Sequence, residues 1–136
     1  MSQENVEVVR CALEAWQSED LETWISGFDP SVEWYGALER LLEGPESVYR
    51  GHEGIRRLWH FNQTELDDFQ VEAEEIRDTE GDRVVLLGRL RFRGPASRID
   101  SESPFGMVVT IRDGKIFRSV DYLSHDEPLK AVGLEE

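Results

Sequence analysis

The hydrophobic period changes once along this chain, and that change limits what it can fold into. In the first half, apolar residues recur three and four apart; from Phe69 onward they recur two apart. The first spacing builds one-sided helices and the second builds strands with one buried face. Val6, Val9, Leu13 and Trp16 predict a first helix, and Leu21, Trp24, Ile25 and Phe28 a second, ended by Asp29-Pro30. "SVEWY" (31–35) alternates like a short strand. Residues 36–50 hold "ALERLLE" between Gly36 and Gly44-Pro45, which reads equally as a helical turn or a structured loop. "GHEGIRRLWHFNQTEL" then places Ile55, Leu58, Trp59, Asn62 and Leu66 on one face of a third helix.

The period-two half predicts four consecutive antiparallel strands. "FQVEAEEI" alternates until Glu74-Glu75, where the phase slips as it would at a bulge. "RVVLLGRLRFR" sets Val84, Leu86, Leu90 and Phe92 against Arg89, Arg91 and Arg93, and Gly94-Pro95 breaks it. A long strand from about Arg98 to Arg112 turns at Asp113-Gly114, a two-residue hairpin signal, into a last strand ending at Leu123. Helices segregated from an antiparallel sheet mean an α+β class, and a long curved sheet wrapping the helices leaves a concave side with room for a pocket.

A chain of 136 residues fits a single domain over 1–136, and 39% hydrophobic residues with four Trp and six Phe suffice for one core. The net charge of −14 repels phosphate backbones and anionic bilayers, so neither nucleic acid nor a membrane is an expected partner. Cys11, the lone cysteine, excludes an internal disulfide and reads as a small buried residue at the edge of the first helix's apolar stripe. No leader-like segment opens the chain and no apolar run is long enough to span a bilayer; a cytoplasmic location is expected.

"ALEAWQSEDLETW", "FDPSVEW", "YRGHEGIRRLW" and "RDGKIFRSVDYL", in this order of elements, resemble the nuclear transport factor 2-like superfamily, in particular its SnoaL-like and ketosteroid-isomerase-like branch. The resemblance implies a bent, conical antiparallel sheet with the N-terminal helices packed on its concave face (a cystatin-like α+β barrel), an apolar pocket, and often a homodimer through the convex side. It does not imply one reaction, because the superfamily holds isomerases, cyclases, dehydratases, hydrolases and members that only bind. A steroid-isomerase site needs a carboxylate base, a tyrosine and a protonated acid, the arrangement used as a worked case for tuned carboxyl groups. At the matching positions stand Trp34, Ala12-Leu13 and Gly106 or Met107. That mechanism lacks its parts here.

Asp121 is the remaining candidate for proton transfer. Counting back from the hairpin, strict pairing sets Gly106 opposite Asp121 and Val108 opposite Ser119, with Phe117, Ser119, Asp121 and Leu123 on one face. The resemblance suggests that this face lines the pocket, although both faces carry apolar residues and one bulge would exchange them. A pocket carboxyl would be desolvated, its pKa raised, and so able to act as acid or base near neutral pH; a rim carboxyl would pair with an arginine instead. Trp16, Trp34, Tyr49 and Trp59 are candidate substrate-binding walls beside Gly106, Val108 and Ser119, and each aromatic could equally be plain core. His52 reads as a cap of the third helix; with His60 and His125 it makes no metal set, and no cofactor motif occurs. Arg89, Arg91 and Arg93 are expected to pair with Asp100 and Glu102 in a cross-strand ladder. The sequence therefore supports two functions: a cofactor-independent isomerase, cyclase or lyase on a small apolar or polyketide-like substrate, or a non-catalytic binding or dimerisation module.

Overall fold

The computed structural model describes residues 2–64, 67–79, 81–93 and 100–134; Leu66, the Gly94-Pro95 break and the strand start near Arg98 lie outside them. The elements are α1 (Ser2–Gln17), α2 (Leu21–Ser26), β1 (Phe28–Tyr35), α3 (Ala37–Glu43), β2 (Tyr49–Arg50), α4 (Gly51–Thr64), β3 (Asp67–Asp78), β4 (Arg83–Arg93), β5 (Asp100–Arg112), β6 (Lys115–Tyr122) and α5 (Asp126–Ala131). Asp20 caps α2, its Oδ1 accepting from the Thr23 N–H at 3.3 Å. Phe28 belongs to β1 rather than to that helix. Pro30 sits inside β1 where the pairing with β6 shifts between Phe28 and Glu33, a place where a missing N–H breaks no ladder.

The six strands form one curved, unclosed sheet in the order β2-β1-β6-β5-β4-β3. All neighbours are antiparallel except β1 and β6. The α+β class holds, and the large core lies between the concave face and the helices: Val6 and Val9 of α1, Trp24 of α2, Ile55 and Leu58 of α4 meet Val84, Leu86, Leu90, Phe105 and Val109. Three rings, Trp16, Trp24 and Trp59, meet at 5.0 to 5.4 Å and fill the space between the helices. A smaller cluster on the other face joins Val85, Leu87 and Val108 to Leu129 of α5. Cys11 is exposed, not buried. At 100° per residue it lies opposite the Val9–Leu13–Trp16 stripe, not beside it.

The β3 slip is a bulge: Ala73 pairs with Gly88 and Glu75 with Leu87, leaving Glu74 over. At the last hairpin, Asp113 and Gly114 have φ of 51° and 76°, the left-handed pair of a tight primed turn. Arg112 pairs with Lys115 and Ile111 with Ile116, as that turn dictates, but Thr110 then pairs with Arg118. Phe117 is the extra residue, and its ring lies 3.7 Å under the Arg112 guanidinium. This second bulge corrects the strict register. Met107, not Gly106, stands opposite Asp121, and Val109, not Val108, opposite Ser119.

Candidate functional site

The register shift decides which side chains share a face. Ser119 and Asp121 point to the helices together with Ile116, Met107 and Val109, and line one cavity with them. Gly106 and Val108 belong to the opposite face: Val108 packs against Leu129, and a Cβ on Gly106 would stand 2.6 Å from Pro128 Cγ. The glycine makes room for α5, not for a ligand beside Asp121.

The cavity lies between α1, α2, α3, α4 and the sheet and opens in part to solvent. Its walls are apolar: Val9, Leu13, Trp16, Trp24, Phe28, Trp34, Leu38, Leu58, Phe105 and Met107 among others. Among the described residues four polar side chains reach it, Glu39, Asn62, Ser119 and Asp121. Of the expected wall residues, Trp16, Trp34 and Ser119 line it with Asp121. Trp59 packs behind Trp16 and Trp24 instead. Tyr49 is buried outside the cavity lining, where its hydroxyl donates to Glu43 at 2.6 Å and Arg57 lies over its ring. Burial and that carboxylate acceptor raise its pKa.

Asp121 is 5% exposed. The Trp34 indole N–H donates to its Oδ2 at 2.9 Å, and the Ser119 hydroxyl to its Oδ1 at a long 3.4 Å. Arg40 bonds the backbone carbonyl of Asp121 rather than its carboxyl. Among the described residues no ion pair forms at the carboxyl. Burial drives the pKa well above the usual aspartate range, the charge of Glu39 pushes the same way, and the Trp34 bond, Arg40 and Ser119 oppose.

Glu39 was not a sequence candidate. Only the first turn of α3 is docked: Ala37, Leu38 and Glu39 are buried, while Leu41 and Leu42 stand 70% and 63% exposed. The Glu39 carboxyl folds back over Gly36, where a Cβ would come within 2.0 Å of Oε1. Burial raises its pKa, Glu43 adds to the rise, and its own backbone N–H, Arg40 and a hydrogen bond from Asn62 resist it. Asn62 is 5% exposed, and among the described residues its Oδ1 has no hydrogen-bond partner. A turn reading Leu-Glu-Arg-Leu-Leu gives no sign that the acid goes in and the leucines out. The one available signal was Asn62 on the apolar stripe of α4.

The expected histidine cap is also corrected. His52 lies in the first turn of α4 and its Nε2 donates to the Phe28 carbonyl at 2.8 Å, tying the helix to β1. Among the described residues no group of three His, Cys, Asp or Glu could hold a metal. Outside the cavity, Arg89 and Arg91 both pair with Glu102 at 2.7 Å, which makes the ladder expected of them; the Asp100 side chain lies outside the described residues.

The model of the SnoaL-like domain matches residues 9–119. This chain belongs to the SnoaL-like domain family. The match ends two residues before Asp121. Solved structures of the same fold include TerC co-crystallised with polyporic acid, 26% identical, with a TM-score of 0.77 over 89% of this chain and 92% of that one. An NTF2-like protein of unknown function from Burkholderia pseudomallei is 20% identical, with a TM-score of 0.78 over 95% and 97%. A protein with a ketosteroid isomerase-like fold from Catenulispora acidiphila, in complex with trimethylamine, is 17% identical, with a TM-score of 0.73 over 94% and 93%. A search of curated protein sequences finds no match. In this SnoaL-like chain Trp34 of β1 donates its indole N–H to the carboxyl of Asp121.

Proposed function

We propose that this SnoaL-like protein binds a small, mainly apolar molecule in the cavity and moves a proton within it, with Asp121 as the carrier and no cofactor. The observation that carries this is the state of Asp121: buried on an apolar wall, held by two neutral donors, with no ion pair among the described residues and its pKa raised. A carboxyl so placed can accept a proton from a carbon next to a carbonyl and return it to another atom of the same substrate. The C–H electron pair stays on the substrate, so isomerisation, ring closure or elimination can follow without an external oxidant or reductant. The apolar lining supports polyketide-like and other enolisable substrates, and the co-crystal of TerC with polyporic acid supports an organic ligand.

The test follows deuterium uptake next to the carbonyl in a panel of small enolisable ketones and diketones in D2O, by proton NMR. The wild-type chain should exchange at least one of them ~100-fold faster than Asp121→Asn, the scale of general-base catalysis. Equal rates with unchanged ligand affinity would leave a binding module without chemistry. We also propose that two copies pair through the outer sheet face around Val120 and Tyr122, both only partly covered.

A further inference from the structure

The cavity's ionisable side chains are two acids, Glu39 and Asp121; no lysine, arginine or histidine is among the described residues that line it. The nearest cation is Arg40, whose guanidinium is spent on two backbone carbonyls, those of Gly36 and Asp121. With both acids ionised, Glu39, Asp121 and Arg40 sum to one negative charge in an apolar setting. Burying a net charge is costly, so the cluster takes up either a proton or a cation. The neutral donors do not replace a cation. Trp34 and Ser119 already serve Asp121 and the Asn62 amide serves Glu39, while Asn62 Oδ1 has no hydrogen-bond partner among the described residues.

Beside the acids stands an aromatic corner. Trp24, Phe28 and Trp34 have centroids 5.0, 6.1 and 5.7 Å apart and are tilted at 80°, 60° and 54° to one another, packed edge to face against each other. All three line the cavity. Ring faces attract cations, most strongly when water is excluded.

We infer that the ligand of this cavity carries a protonated amine: an apolar body among the aromatic rings, and an ammonium group between Glu39 and Asp121 with an N–H to Asn62 Oδ1. This rests on the proposed ligand site and names its class. The ammonium supplies the one positive charge that neutralises the cluster and the one donor that Asn62 lacks. It also keeps Asp121 ionised near neutral pH, the state in which it accepts a proton. Uptake of the cation displaces the proton, so binding strengthens as pH rises. Glu43, which faces Glu39 from the end of α3, acts in the same direction, and Arg40 opposes it.

The test compares 3,3-dimethylbutylamine with 3,3-dimethylbutan-1-ol by calorimetry and tryptophan fluorescence. The two share a hydrocarbon body and a terminal donor and differ in charge, the amine staying protonated throughout the range of about pH 5 to 8. The amine is expected to bind roughly tenfold or more tighter at about pH 8, with a smaller preference at about pH 5, and to release protons on binding. Asp121→Asn and Glu39→Gln should each remove most of that preference while leaving alcohol affinity within about twofold. Equal affinities in the wild-type chain, or a preference untouched by both substitutions, would overturn the ammonium class. In that event deuterium exchange on neutral ketones would still stand or fall separately. Failure of both compounds to bind would overturn the amine class at this site, and retained exchange activity would show that the cavity serves another ligand. The wild-type comparison needs no variant, so a substitution that unfolds the chain does not rescue the idea.

Discussion

Burying the Asp121 carboxyl makes the fold less stable as pH rises. Its folded pKa lies above the unfolded value of about 3.9, so the folded chain holds the proton longer. Its stability contribution is full below the unfolded pKa and is lost as pH climbs through the folded one. Glu39 carries the same sign. Asp121→Asn keeps an acceptor for the Trp34 indole and removes the charge. It should therefore be more stable than the wild type by about 1–3 kcal/mol near pH 8 and close to it near pH 4, measured by denaturation followed by circular dichroism. A variant less stable at both pH values would mean that the carboxylate is satisfied in a way these contacts do not describe. Asp121 was legible because an acid interrupts an apolar strand. Glu39 was hidden because the leucines around it look better suited to a core, and only docking shows which side of a two-turn helix meets the cavity.

At the scale of elements, the site depends on a single extra residue. Without the Phe117 bulge, Gly106 would stand opposite Asp121 as strict hairpin pairing requires; with it, Met107 does and Gly106 turns to α5. Gly106→Ala would press a methyl group on Pro128 and on the Ser124 carbonyl, 2.9 Å away. We expect a loss of about 1–3 kcal/mol in urea denaturation, with the Asp121 carboxyl titration by NMR unmoved. A titration that shifts with the substitution would put the two residues on one face after all. The β3 bulge could be read in advance because polar and apolar residues visibly fell out of step at Glu74-Glu75. The β6 bulge could not, since both faces of that strand carry apolar and polar residues and a slipped register leaves no mismatch in the pattern.

For the whole molecule, the charge of −14 bears on assembly more than on the cavity. Two copies meeting through the sheet bring like charges together, and salt screens that repulsion over about 10 Å at 0.1 M. Sedimentation should show a species near twice the chain mass of 15.7 kDa, populated more at about 300 mM than at about 20 mM salt. A monomer at both would remove the homodimer. Sequence by itself determined the α+β class, the order of its major helices and strands, the tight turn at Asp113-Gly114 and the acid on the last strand. Each of these is local: a period, a turn pair, or one residue out of pattern. Tertiary structure alone decided which face of β5 and β6 is concave, where β1 enters the sheet, that Tyr49 and Trp59 stand away from the cavity, and that Glu39 and Asn62 join Asp121 there. Those outcomes depend on how elements distant in the chain settle against one another, and pattern within a segment does not encode that contact.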